Sequence, residues 1–440
     1  MMARLKHLAR GNTLQFAMLA AMRMGISFSQ LVIVLVAGSL LDKSDFGRFV
    51  IIYAGARLLA SFAGLGAPSF LLKDVPYRQA QNQPWQSARS AALTFAVYPA
   101  AICVAVGALA EAIGATGTPF YPLSEGEGAV MAGLGFCWAG MLALGAYVRV
   151  TRTPTQAMMI ADLFTPATML ASLVLMQILN WTSLLPLVLT CCTILILAQL
   201  IMLMWHAAKK WMPIGGANAA PVKLRALIPY WGTVILNTAS TQIDILIAGS
   251  LAGPVATGVY TIIKRITNVL ALPMSIAIWI LAPRVSRASA TDDRAALDKA
   301  ARTGIGLAFL PALALAILVA VSSPWWFAYF DIAWGGEALA LLGILLFANL
   351  LSVAFGPSIM FATQTGMPQV AVRSLSLAVL TAGAWMIIGG SIAGVIAIAI
   401  GQVIMYICIN VPIRLAVKKR FGFDYSLAAF IPQLKSKHTE

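Results

Sequence analysis

Six ionisable side chains fall inside long apolar runs of this 440-residue sequence: Arg23, Arg57, Asp162, Asp244, Lys264 and Arg265. A charged group at the centre of a bilayer costs about 2.5 to 3.5 kcal/mol even on the lenient insertion scale, so each is a functional candidate by default. Counting about 1.5 Å of rise per residue from the nearest run end places Arg23 and Arg57 near the bilayer midplane, beyond easy snorkelling. Asp244 lies about as far before the turn Gly253-Pro254 as Lys264 and Arg265 lie after it. Antiparallel neighbours joined by that turn would hold the three at one depth, which predicts an ion pair. A satisfied buried pair would explain these residues with no ligand at all. Asp162, about two turns inside its own run, could neutralise Arg23 or Arg57. Even after pairing, four cations face two acids, and the surplus calls for an anion. A pyrophosphate or an acidic sugar meets that need, because guanidinium forks bind phosphate oxygens bidentately and desolvation strengthens the contact. Arginines bonded to backbone carbonyls or water at helix breaks are the alternative without a substrate. The candidate substrate-binding cations are therefore Arg23, Arg57, Lys264 and Arg265; the candidate ion-pairing or ion-coupling acids are Asp162 and Asp244.

Such residues need membrane helices to carry them. The chain is 60% hydrophobic and only 10% charged, with a mean hydropathy of +0.87, a balance that soluble domains do not approach. A bilayer core requires roughly twenty apolar residues per helix, and the pattern predicts an all-α polytopic membrane protein of about twelve spans. The runs cover 13–41, 46–72, a third ending near Glu111, then 129–148, 156–178 and 184–205. A second set covers 227–251, 256–281, 303–322, 338–363, 370–389 and 391–414. Residues 209–225, with Lys209, Lys210, Lys223 and Gly215-Gly216, read as a cytoplasmic linker. It joins a six-helix lobe over 1–208 to another over 226–440, which ends in a basic cytoplasmic tail. Prolines within the runs, Pro166, Pro273 and Pro357 among them, permit bends without lipid-exposed loops. Lysine and arginine fall on alternate loops, as the positive-inside rule requires of this span count. Glu111, Glu125, Glu127, Asp331 and Glu337 mark the opposite face, where the first loop alone is basic, with Lys43 and Arg48. Both basic termini are expected in the cytoplasm.

The remaining chemistry is sparse. The net charge of +15 is dispersed over short loops and builds no nucleic-acid-binding face. Cys103, Cys137, Cys191, Cys192 and Cys408 all lie in apolar runs, where a thiol behaves as a small hydrophobe and implies no disulfide framework. His7, His206 and His438 stand at run edges or termini with no second ligand at metal-binding spacing. The sequence holds no Gly-x-x-x-x-Gly-Lys loop for a nucleotide. No metal, cofactor or catalytic residue is expected, and the chain reads as a carrier rather than an enzyme.

The chain repeats itself at a fixed offset. Ala37-Gly38-Ser39-Leu40 recurs as Ala248-Gly249-Ser250-Leu251, and Gly47, Ile51, Ile52, Leu59 and Ala60 recur as Gly258, Ile262, Ile263, Leu270 and Ala271. Two membrane hairpins in one register are the mark of a duplicated transporter with two lobes around a central cavity. Within this frame, Leu41-Asp42-Lys43-Ser44-Asp45-Phe46-Gly47 resembles the "LGPEEFG" turn of polysaccharide flippases in the multidrug/oligosaccharidyl-lipid/polysaccharide (MOP) exporter superfamily. Ile243-Asp244-Ile245-Leu246-Ile247-Ala248-Gly249, Thr257-Gly258-Val259-Tyr260 and Ala282-Pro283-Arg284-Val285-Ser286 are similar to that family's later stations, in order. So are Ala362-Thr363-Gln364-Thr365-Gly366 and Ile392-Ala393-Gly394-Val395-Ile396-Ala397. The sequence departs from the family at Asp42-Lys43, where glycine-proline is usual.

The resemblance implies two pseudo-symmetric lobes and an inner-membrane flippase working by alternating access. Its cargo would be an undecaprenyl-pyrophosphate-linked oligosaccharide destined for exopolysaccharide or O-antigen. The implied partners are that lipid-linked anionic glycan, membrane lipids and a polysaccharide polymerase. Glycan contacts are expected from scattered polar groups such as Asn237, Thr241, Gln242, Asn268, Asn349 and Gln364. Two alternatives stand beside it. A cation-coupled multidrug antiporter of the same superfamily would favour an acidic cavity, and a membrane glycan polymerase or ligase would be expected to carry a large outer loop with basic catalytic residues.

Overall fold

The computed structural model describes residues 28–71, 96–116, 125–151, 159–180, 184–208, 227–291 and 293–427, with a few isolated positions besides. Its helices are α1 (Phe28–Leu40), α2 (Lys43–Ala63), α3 (Tyr98–Ala115), α4 (Glu127–Thr151), α5 (Phe164–Ile178) and α6 (Leu184–Ala208). They continue as α7 (Ile228–Thr267), α8 (Leu272–Ala290), α9 (Arg294–Tyr329), α10 (Gly336–Phe355), α11 (Ser358–Gln364) and α12 (Pro368–Phe421). Six segments are long and apolar enough to cross a membrane, and four shorter apolar helices accompany them. Two of the six change direction in mid-course, at Gly253 in α7 and at Ala393-Gly394 in α12, and so pass twice. The described residues thus supply the twelve passes of an all-α, multi-pass membrane protein.

The helices partition their side chains as a lipid environment dictates. Along α9, Ala301, Gly304, Ala308, Ala312 and Ala316 are buried, whereas Leu307, Leu310, Ile317, Leu318 and Val321 are exposed. Large apolar groups gain nothing by leaving lipid, so interfaces take small residues that let backbones approach. Gly304 illustrates the closeness, since a Cβ there would lie 2.4 Å from Leu281 of α8.

Three predicted spans are not single straight helices. The run 46–72 breaks after α2: Gly64, Leu65 (φ 49°) and Gly66 (φ 69°) form a turn before helix resumes at 67–71. Hydropathy does not register this break because the turn residues are themselves apolar or neutral. The run 338–363 breaks at Gly356 (φ 78°) and Pro357, which separate α10 from α11. The run 256–281 contains a 3-10 turn over Asn268–Ala271 just before Pro273. The expected linker, residues 209–225, lies almost wholly outside the described residues.

The described chain forms two compact units, one up to Gly258 and one from Val259. In the first, α2, α3 and α4 share a core of Leu59, Ala63, Cys103 and Ala132. Glu111 at the end of α3 accepts the amides of Gly126 (3.0 Å) and Ala129 (2.8 Å), so a carboxylate occupies the positive end of α4. Arg48 pairs with Asp45 and lies 3.4 Å from Glu127. A basic residue on the acidic face is thereby neutralised.

In the second unit the chain beyond α12 turns back at Gly422, which adopts a left-handed conformation (φ 79°). Tyr425 is fully buried and stacks on Phe361 of α11, with ring centres 4.8 Å apart and planes at 15°. Asp424 accepts two bonds of 3.0 Å from the Arg414 Nε and takes the amide (2.9 Å) and hydroxyl (2.7 Å) of Ser426.

Candidate functional site

Phe49, Tyr53 and Arg57 follow one another at intervals of four along α2 and so share a face. That face looks onto Trp138 of α4. The Arg57 guanidinium lies over the indole, 5.3 Å from its ring centre. Tyr53 meets the same indole edge-on at 5.2 Å, and Phe49 lies 6.2 Å behind Tyr53. Close helix approach makes this possible. A Cβ on Gly55 would lie 2.3 Å from the Met131 sulfur, and one on Gly135 would lie 3.1 Å from Leu59.

Tyr53 and Trp138 are buried, while Arg57 is half-buried. Among the described residues Arg57 has no carboxylate and no hydrogen-bond partner; the indole face is its one specific contact. The ring quadrupole attracts the cation by about 0.5 to 2 kcal/mol, and a guanidinium carries five N–H donors in a planar fork. Such a fork, with no carboxylate beside it among the described residues, is suited to an anion with paired oxygens. Arg57 stands fourteen residues along a helix that ends at Ala63. This is about 21 Å from the start of α2, nearer the end of its helix than the uninterrupted run 46–72 implies.

The second repeat carries its own cation at a related position. At the repeat offset Lys264 corresponds to Tyr53 and Asn268 to Arg57, so Lys264 stands one helical turn further out on the equivalent face. Lys264 is 5% exposed, and the buried Thr267 donates its hydroxyl to the Lys264 carbonyl at 3.0 Å. Thr261, one turn before Lys264, is buried, and its hydroxyl has no hydrogen-bond partner among the described residues. Arg265 is half-buried beside it. Asp244 is fully buried in the first half of α7, in the unit that ends at Gly258. Asp162 lies in a π-turn, Met159–Leu163, that leads into α5. Single π-turns of this kind are frequent at functional sites. Arg23 lies outside the described residues.

The structure thus joins Arg57 to two residues that the sequence does not single out. Tyr53 has a local signal, standing one turn from Arg57 on the same face. Trp138 has none, because its approach depends on how α4 lies against α2. Of the polar groups expected to meet a glycan, Asn237, Thr241 and Gln364 are exposed and Gln242 is buried. Asn349 is also buried and donates to the Leu345 carbonyl of its own helix at 2.9 Å.

No protein-family model matches the sequence, and no curated protein matches it either. Solved structures do. An inward-facing multidrug resistance MATE family transporter of the MOP superfamily superposes with a TM-score of 0.63 at 16% identity, covering 92% of this chain and 98% of that one. An outward-facing MATE transporter gives 0.64 at 15% identity, covering 92% and 95%. A MOP superfamily transporter from Pyrococcus furiosus, described as having a binding pocket of reverse polarity that suggests a different function, gives 0.58 at 16% identity over 92% and 95%. At such identities the likeness speaks for architecture, and over nine-tenths of its length the chain has the fold of the MOP superfamily transporters.

Proposed function

We propose that the protein is an alternating-access flippase for a lipid-linked anionic glycan, an oligosaccharide on undecaprenyl pyrophosphate. It works in the bacterial inner membrane, with both termini in the cytoplasm, and supplies a cell-surface polysaccharide polymerase. The observation that carries this reading is Arg57: a guanidinium whose carbon lies over the Trp138 indole at 5.3 Å, within a membrane helix, with no acid beside it among the described residues. Arg57 and Arg23 receive the pyrophosphate, and Lys264 and Arg265 offer the second repeat's charge. Asp162 and Asp244 balance these cations or couple ion movement to them. Each phosphate bond is strong here because little water competes for the oxygens. The prenyl chain need not enter the site, since lipid surrounds it. Exposed amides such as Asn237 and Gln364 suit the sugar, and the protein acts as a carrier with no bond made or broken.

A cation-coupled multidrug antiporter is the second reading, and the MATE transporters among the structural neighbours favour it. An organic cation would be repelled by Arg57, and it would need an acid there. The deciding measurement is thermal stabilisation of the purified protein in nanodiscs. A ligand at a hundred times its Kd stabilises by about 2.7 kcal/mol. A polyprenyl pyrophosphate should raise the melting temperature where the matching polyprenyl alcohol does not. Stabilisation by a lipophilic cation such as tetraphenylphosphonium, with none by the pyrophosphate, would replace the flippase reading with the antiporter.

A further inference from the structure

The start of α2 and the middle of α7 touch through their backbones. A Cβ on Gly47 would lie 1.9 Å from the Pro254 carbonyl oxygen and 2.3 Å from its carbon. One on Gly258 would lie 2.9 Å from Phe46 and 3.6 Å from the Gly47 Cα. Gly47 and Gly258 are the same position of the repeat, five residues into helices that begin at Lys43 and Pro254. The two repeat-related helices therefore cross at their matching glycines. At Gly47 nothing larger than hydrogen fits unless the Pro254 backbone moves away, whereas at Gly258 a methyl group would press on the Phe46 ring.

A second meeting of the same two helices lies at the other end of α2, fifteen residues or about 22 Å away. Here the chemistry differs. The Trp231 indole donates to the Phe62 carbonyl at 2.7 Å, and the Ser61 and Thr238 hydroxyls lie 2.7 Å apart. Phe62 packs on Trp231 with ring centres 5.1 Å apart, and Phe70 on Tyr230 at 6.1 Å. The left-handed turn at Gly66 sits on the backbone of Tyr230 and Trp231, with 2.4 Å from a Cβ there to the Trp231 nitrogen.

We propose that these two patches are the outer and inner clasps of the transport cycle, a proposal that rests on the transporter reading. The outer clasp is a packing contact of glycine with backbone. The inner clasp is polar and aromatic, and opening it exposes a carbonyl and two hydroxyls that water then satisfies. The two ends can therefore be biased separately. A methyl group at the outer crossing props it apart, and loss of the indole N–H loosens the inner end.

The test uses a reporter between the clasps. Leu246 of α7 lies 3.7 Å from where a Gly55 Cβ would be, so Leu246→Cys, in a chain whose five native cysteines are replaced, is labelled with a membrane-impermeant maleimide. Labelling is compared between intact cells and inside-out vesicles. Gly47→Ala should raise outside labelling at least fivefold and lower labelling from the cytoplasmic side, and Trp231→Phe should do the reverse. If Gly47→Ala fails to accumulate, Ser61→Cys with Thr238→Cys closes the inner clasp by a disulfide in folded protein. The reporter should then react from outside alone until reductant is added. Labelling from both sides at wild-type rates in these variants would overturn the clasps. Labelling that follows the clasps, in a protein that moves no lipid-linked anion, would overturn the substrate and leave the clasps standing.

Discussion

Replacing Arg57 by lysine keeps a cation over the Trp138 ring and removes only the planar fork. A charge-assisted hydrogen bond contributes about 1.5 to 3 kcal/mol. Losing one of two parallel bonds to a pyrophosphate should therefore weaken binding about 10- to 100-fold, at 1.4 kcal/mol per factor of ten. Folding should be spared, since Arg57 is half-buried and bonds to no described residue. Trp138→Leu removes a cation–aromatic contact of about 0.5 to 2 kcal/mol. This should weaken binding by about 2- to 30-fold through loss of orientation. The two can be separated by a double-mutant cycle. If Trp138 acts through Arg57, its replacement should cost nothing further in an Arg57→Met background. The assay is binding of a radiolabelled polyprenyl pyrophosphate to purified protein, with export of the cognate glycan measured per molecule of folded transporter. Arg23→Lys belongs in the same series. Wild-type export per molecule in Arg57→Lys, or additive losses in the cycle, would remove this pair from the mechanism and turn attention to Lys264 and Arg265.

Three further outcomes are expected. If Asp244 pairs with Lys264 or Arg265, Asp244→Ala should reduce membrane abundance more than the same change combined with Lys264→Met or Arg265→Met, because a lone buried cation is worse than none. Failure of both double variants to restore abundance would make Asp244 a coupling residue instead. A cysteine at Ser124, between the ends of α3 and α4, should react with an impermeant thiol reagent in intact cells; reaction only after lysis would invert the topology. Burial pushes the Asp424 carboxyl up, but the Arg414 fork and the two Ser426 bonds outweigh it and hold it below the usual carboxylate range. A carboxylate depressed in the folded state stabilises fully above its unfolded value of about 3.9. The segment after Gly422 should then stay protected from hydrogen exchange from neutral pH down to about pH 4 and lose protection only in stronger acid. Asp424→Asn should expose it at neutral pH.

The passes, the hairpin turn at Gly253 and the duplication were legible because bilayer thickness, charge alternation and a fixed offset all act on sequence directly. Glycine before proline was no sure guide to the breaks: Gly253-Pro254 was clear, but Gly356-Pro357 lay inside the run 338–363 and Gly64-Leu65-Gly66 inside another apolar run, against the α7 backbone. Depth along the apolar run picked out Arg57, while the end of its helix at Ala63 was invisible. The sequence counted charges and had no view of Trp138, which meets Arg57 from another helix. The back-folded segment after α12 looked like part of a basic tail, since Tyr425 and Asp424 acquire meaning only against Phe361 and Arg414.

That segment has a consequence in time. Phe361 is synthesised before the ring that covers it, since Tyr425 is made sixty-four residues later. At about 5 to 20 residues per second the delay is roughly 3 to 13 s. Throughout it the bend at Gly356-Pro357 lacks the Tyr425 carbonyl and ring that close on it. Insertion of α12 comes before maturation of α11, so a ribosome released after Phe421 leaves a chain with every pass encoded and one joint unsealed. Its defect would be one of ripening rather than of threading, visible to a protease and silent to any assay of topology.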